Sequence, residues 1–248
     1  MLYYPDTRRV KLKLVIISFE IVLIVTFSGS KGGTGKTTLA VSLSVTAAAS
    51  VPTLLVDASS EGGATVYLLG DTPPPYLRDD PDASLREVEH DNFRLTVAVN
   101  RGPLRSPERV INALRTWLQR YALVVVDIPA LTDVDAVDRY LPLILEADSI
   151  LVVTEPNPAS VEGSLFTFAD KRVVVALNCP RPYPKSVVDY YSKTVAYWCK
   201  KAGADYVVVP YEPAVSRLGP GTLRVLNYTS GEFDAAIAKL AHLLLRKK

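Results

Sequence analysis

The sequence predicts an α/β fold: a doubly wound, mainly parallel sheet with helices on both faces. Three observations carry the prediction. Apolar runs alternate along the chain with amphipathic stretches. The runs are near-continuous Val, Leu and Ile, the pattern of strands buried on both faces rather than one. The first core run leads straight into a glycine-rich loop and a helical pattern, and such alternation closes through right-handed crossovers.

In chain order, strands are expected at 21–27, 53–57, 93–99, 122–127, 149–154, 173–178 and 206–210. Helices are expected near 36–49, 62–69, 107–120, 134–146, 159–168, 185–202 and 231–246. Ser106-Pro107-Glu108 is a helix start with proline in the first turn, and Ser230 precedes Glu232 and Asp234 in the same way. Residues 71–91 are the main irregular stretch, with Pro73-Pro74-Pro75 and a local charge of −5 (seven acids, two arginines). They read as a solvated loop. No internal repeat or long linker interrupts the pattern.

The amino terminus has a second reading. Residues 14–27 (LVIISFEIVLIVTF) are strongly apolar and follow Arg8, Arg9, Lys11 and Lys13. Fourteen residues fall short of the roughly 20 that span a bilayer, Glu20 interrupts them, and no small-residue cleavage site follows. The end of the run is therefore read as a buried strand. Residues 1–20 form an amino-terminal extension ahead of one domain, 21–248.

Of 248 residues, 48% are apolar and 22% charged, which excludes a disordered chain, a collagen-like fibre and a disulfide scaffold. The net charge of +2 gives no global field for a polyanion. Cys179 and Cys199, with His90 and His242, have no zinc or iron–sulfur spacing and read as reduced thiols of a cytoplasmic protein. The single Met, the single Gln and the scarce Cys point to a thermophile.

Lys31-Gly32-Gly33-Thr34-Gly35-Lys36-Thr37-Thr38 lies between a strand and a helix. Phosphate binding requires this arrangement: glycines let backbone N–H groups turn inward, and the following helix aims its positive end at the anion. Lys36 is then placed for the β- and γ-phosphates and Thr37 for Mg²⁺. The strict loop has Gly six residues before the lysine; here that residue is Ser30, and an extra lysine, Lys31, follows it.

A loop of the form KGGxGKTT resembles the deviant Walker A loop of the ParA/MinD family of P-loop ATPases, and later segments match the family in order and spacing across residues 21–245. The resemblance is closest to ParA-like partition ATPases. It implies that Lys31 is the signature lysine, which reaches a partner's phosphates in an ATP-sandwich homodimer. It implies that Asp57 opens switch I and that Asp127, in Asp127-Ile128-Pro129, is the Walker B acid, both with Thr37 at the metal. Glu155-Pro156-Asn157-Pro158 matches the family's proline-rich loop, Asn178 the residue that reads the adenine edge, and Pro210 and Tyr211 the loop packed on the base. ATP and Mg²⁺ are the implied cofactors.

Switch I departs from the family. Its second aspartate, which orients the attacking water, aligns with Ser59 in Asp57-Ala58-Ser59-Ser60-Glu61. A serine does not accept a proton at neutral pH, so hydrolysis is expected to be slow, with Glu61 the carboxylate left to take its place. Partition relatives bind DNA non-specifically and answer to an adaptor protein that stimulates hydrolysis. Lys193, Lys200, Lys201, Arg217, Arg224, Lys239 and Arg246-Lys247-Lys248 are candidate phosphate contacts here. Two alternatives stand beside partition. One is a MinD-like positioning ATPase that touches membrane through Phe233, Ile237, Leu240, Leu243 and Leu244. The other is a nucleotide-gated scaffold or filament with little hydrolysis.

Overall fold

A computed structural model describes residues 21–245 apart from 30, 91–92, 167, 169 and 216–228. The extension 1–20, Ser30, Arg217, Arg224 and 246–248 lie outside the described residues. Eight strands form one sheet in the order β3-β4-β2-β5-β1-β6-β7-β8. They are β1 (Val22–Phe27), β2 (Thr53–Asp57), β3 (Leu85–His90), β4 (Phe93–Ala98), β5 (Leu123–Asp127), β6 (Ser149–Thr154), β7 (Arg172–Asn178) and β8 (Asp205–Val209). Every neighbouring pair is parallel except β3 with β4.

Seven helices lie against this sheet among the described residues: α1 (Lys36–Ala48), α2 (Gly63–Leu69), α3 (Pro107–Trp117), α4 (Val134–Glu146), α5 (Pro158–Ser164), α6 (Lys185–Ala202) and α7 (Gly231–Leu245). Successive side chains of a strand point to opposite faces, so the Val/Leu/Ile runs feed two cores. Ile24, Leu55, Val125 and Leu151 meet α1 and α7 on one face. Leu23, Leu54, Val124 and Ile150 meet α3, α4 and α6 on the other, around Trp117 and Tyr140. The stripe Phe233, Ile237, Leu240, Leu243 and Leu244 of α7 is wholly spent on the first core. No helix among the described residues is long and apolar enough to cross a membrane.

Two expectations are corrected. Residues 71–84 hold no strand or α-helix and are largely exposed, as expected of a solvated loop, but 85–90 form the edge strand β3, paired antiparallel with β4 from Leu85↔Ala98 to His90↔Phe93. An edge strand tolerates charge, so Arg86, Glu87 and Glu89 hide the strand pattern. Leu77 is buried upstream, and the acids of the stretch meet arginines from elsewhere: Asp71 with Arg101, Asp79 with Arg105, and Asp82 with Arg120. The helix expected at 159–168 ends at Ser164, because Leu165 leaves helical geometry.

The chain moves to one side of β1 through β2 and to the other side at β6. In open α/β sheets, ligands bind in the crevice beyond the carboxyl ends of the strands at such a switch point. Phe27, Asp57, Asp127, Thr154 and Asn178 all end strands on this side.

Candidate nucleotide site

The loop between β1 and α1 is shaped by its glycines. Gly33 and Gly35 have φ of +74° and +91°, in the left-handed region that favours glycine. A Cβ on Gly35 would lie 2.2 Å from Asn178 Nδ2. Gly35 caps α1 with no side-chain hydrogen bond, and the first turn carries no acid. The positive end of α1 thus meets the loop without a protein group competing for it, the condition for an anion site. The buried Thr34 hydroxyl also has no hydrogen-bond partner.

Lys36 is buried at the first turn of α1, and its Nζ donates to Ser28 Oγ at 2.8 Å. Ser28 in turn donates to the Lys31 carbonyl at 2.9 Å, which ties the two ends of the loop together. Burial lowers the Lys36 pKa, while the negative charges of Asp127 and the exposed Glu61 raise it. An anion at the loop would restore the solvation this ammonium has lost.

Asp57 and Asp127 are register partners at the ends of β2 and β5, both fully buried. Their surroundings separate them. Asp57 Oδ1 accepts from Ser59 Oγ at 2.6 Å and Ser59 N at 3.1 Å; its Oδ2 accepts from Thr65 Oγ1 at 2.7 Å and Thr65 N at 2.8 Å. Burial first, and then the facing Asp127, push its pKa up to about 6 against those bonds. Asp127 Oδ1 accepts from Thr26 at 3.1 Å, but its buried Oδ2 has no hydrogen-bond partner. Burial raises the Asp127 pKa too, opposed by the Thr37 hydroxyl, by the Lys36 charge and by Thr26. An orphaned carboxylate oxygen beside a threonine hydroxyl is an oxygen-donor set that suits Mg²⁺.

Ser59 is buried and spends its hydroxyl on structure: it donates to Asp57 and accepts from Gly63 N at 2.9 Å. Asn100, two residues beyond the end of β4, donates from Nδ2 to Ser59 O at 2.9 Å, and its backbone N–H donates to Thr65 Oγ1 at 3.0 Å. Lys31 pairs with the buried Glu155 of the segment after β6. On the far side of the loop, Asn178 donates to Thr34 O at 2.8 Å and faces a cleft bordered by Cys179, Pro210, Tyr211 and Phe233. Gly32 leaves open space where a side chain would stand, and Thr38 borders the same cleft.

A family model described as an AAA domain matches residues 24–134, a span that holds the glycine loop, Asp57 and Asp127. No curated protein matches the sequence. Among solved structures, the septum site-determining protein MinD with Mg-ADP from Pyrococcus horikoshii superimposes with a TM-score of 0.69 at 18% identity, covering 91% of this chain and 96% of that one. This is a ParA/MinD-like P-loop fold. A ParA family ATPase from Chlorobium tepidum gives 0.65 at 20% identity, over 90% and 98% of the two chains. The pNOB8 ParA bound to nonspecific DNA gives 0.61 at 13% identity, over 91% and 98%.

Within this ParA/MinD-like fold, the predicted residues Lys31 to Thr38, Asp57, Glu61 and Asp127 converge on one crevice, with Asn178, Pro210 and Tyr211 at its far end. Sequence reasoning passed over Ser28, Thr65, Asn100, Arg181 and Tyr183. Asn100 carries a legible signal, a polar residue just past a mainly apolar run, near the strand end as Asp57, Asp127 and Asn178 are at theirs. The others are unremarkable in sequence and matter only through what they touch.

Proposed function

We propose that this chain is a Mg-ATP-binding switch ATPase of the ParA/MinD type, a homodimer when loaded, that partitions DNA or positions a cargo in the cytoplasm. One observation carries the reading. The glycine loop leads into an uncapped helix end, and the buried Lys36 of that helix interacts with the charge of Asp127, one oxygen of which is orphaned. Loop N–H groups and Lys36 then hold the phosphates. Asp127 and Thr37 hold Mg²⁺, which supplies charge neutralisation at the transferred phosphoryl group. Asp57, saturated by Ser59 and Thr65, holds switch I in register with the metal side rather than contacting the ion directly. Asn178 and the Pro210-Tyr211 segment take the base. Residues 21–248 act as a single ATPase domain carrying the extension 1–20.

Hydrolysis is slow in this reading. The Ser59 proton is committed to Asp57, so no base stands at the family's water-orienting position, and Glu61 is exposed. Steady-state phosphate release with Mg-ATP tests this: turnover well below ~1 s⁻¹ is expected, and 1–10 s⁻¹, ordinary for an enzyme, refutes it. Fluorescent-nucleotide binding that Lys36→Ala abolishes is expected alongside.

The partition branch gains from α6. Tyr190, Lys193, Tyr197, Lys200 and Lys201 stand exposed on one face of that helix, with Lys201 Nζ 4.4 Å from the Tyr197 ring centre. Lysines interleaved with aromatics suit a phosphate backbone. The membrane branch loses its apolar stripe to the core. Replacing the three lysines by alanine should lower the salt slope of DNA binding in ATP by about 2–3, at roughly 0.9 per phosphate contact. An unchanged slope moves DNA elsewhere on the surface.

A further inference from the structure

The two lysines of the glycine loop are held differently. Lys36 is enclosed, with a serine hydroxyl as its partner. Lys31 is about one-third exposed and paired with Oε1 of Glu155, which is only 3% exposed. The Glu155 position is rigid: its N–H donates to Ser160 Oγ at 3.0 Å, and its carbonyl accepts from Asn157 N at 2.7 Å. Its other oxygen, Oε2, accepts from Tyr183 OH at 2.7 Å and Arg181 Nη2 at 3.1 Å. One nearly buried carboxylate, in the segment after β6, is thus shared between two cations that follow the strands on either side of it, the loop after β1 and the segment after β7.

Such an arrangement has a directional property. A buried carboxylate that loses its only cation is left stranded at a heavy cost. Here Arg181 and Tyr183 stay in place when Lys31 departs, so the charge on Glu155 remains answered. Lys31 itself departs into solvent or onto another anion, and a partly exposed ion pair is weak enough to be surrendered. Burial would raise the Glu155 pKa, yet Lys31 and Tyr183 hold it below the ordinary range, so the carboxylate is ionised at neutral pH.

We propose that Glu155 is a positioning residue that parks Lys31 against its own chain, with Arg181 as the standby cation, and that pairing of two nucleotide-loaded copies begins when Lys31 leaves it. The proposal rests on the dimerising ATPase reading above. It makes Lys31 a gated group: the parked form is the resting monomer, and the released form is the one that meets phosphate. It also assigns opposite effects to two neighbours. Removing the charge of Glu155 frees Lys31, whereas removing Arg181 makes release more costly and tightens the parking.

Sedimentation velocity with Mg and a non-hydrolysable ATP analogue tests this on the full chain, with binding of the same analogue measured by fluorescence competition. Glu155→Gln, which keeps an acceptor for Tyr183, should lower the apparent dimer Kd three- to tenfold. Arg181→Gln, at a largely exposed site, should raise it two- to fivefold. In a Lys31→Ala background neither substitution should matter, a coupling that a merely structural role would not produce. Equal dimer Kd for wild type and Glu155→Gln overturns the proposal, as does the same shift without Lys31, or shifts of one sign in both variants. Nucleotide binding with every variant monomeric also overturns it while leaving nucleotide binding intact. Absence of nucleotide binding by the wild type instead refutes the ATPase reading itself.

Discussion

Asp57 makes the metal-free protein more stable in mild acid than at neutral pH. Its pKa stands at about 6 against an ordinary 3.8, because burial and the facing Asp127 both disfavour its charge. A raised carboxyl pKa means that the native state holds the proton more tightly than the unfolded chain does. The stabilisation is therefore complete below about pH 4 and is lost as pH rises through 6. Each tenfold in proton affinity is about 1.4 kcal/mol, so full ionisation costs the native state on the order of 3 kcal/mol. Between pH 7.5 and pH 5, roughly 1.4 kcal/mol of that returns. Glu155 and Glu212, whose pKa values are lowered, lose their contribution only below the ordinary carboxylate range and stay out of this window. Urea unfolding in EDTA at both pH values, on wild type and Asp57→Asn, isolates the effect as the change in the difference between the two proteins. Asp127→Asn should move the same transition to lower pH by removing the second cause. A wild-type minus Asp57→Asn difference that stays within 0.5 kcal/mol (about twofold in the unfolding constant), or that grows with pH, would refute the reasoning.

Three other substitutions follow from the site. Asp127→Asn should raise the melting temperature of the metal-free protein, since one of two facing buried carboxylates is neutralised, while abolishing the extra stability given by Mg-nucleotide. At a hundredfold excess over Kd that extra is about 2.7 kcal/mol, or roughly 5–10 °C in a thermal scan; a variant that keeps it would remove Asp127 from the metal. Gly35→Ala forces a side chain to a φ of +91° and into the Asn178 amide, so a loss of about 2–4 kcal/mol and of nucleotide binding is expected, and wild-type melting would contradict it. Ser59→Ala removes a hydrogen bond to a buried carboxylate and the acceptor of Gly63 N, and should cost about 2 kcal/mol at pH 7.5 with no change in turnover. A tenfold fall in turnover at unchanged stability would show that the Ser59 hydroxyl acts on the reaction.

The central strands β1, β2, β5, β6 and β7 were legible to within a residue or two because they are buried on both faces, and burial on both faces is written as an unbroken apolar run. β3 was not legible, since it lies at the sheet edge with charged side chains, and only its pairing with β4 reveals it as a strand. The glycine loop, Asp57 and Asp127 could be singled out because close backbone approach and strand-end carboxylates leave local marks. Which of the two acids has an oxygen to spare could not, because Thr65 and Ser59 reach Asp57 through the turn into α2.

What the sequence by itself determined is the glycine loop between a strand and a helix, the α/β alternation and hence one crevice at the ends of the strands. These follow from local composition and periodicity, which residue order alone encodes. What only the tertiary structure decided is how the charges in that crevice are shared. Lys31 and Glu155 are 124 positions apart, and Glu155 and Arg181 a further 26, yet one carboxylate joins all three. Electrostatic partnership depends on distance in space and on desolvation, and neither is a function of spacing along the chain.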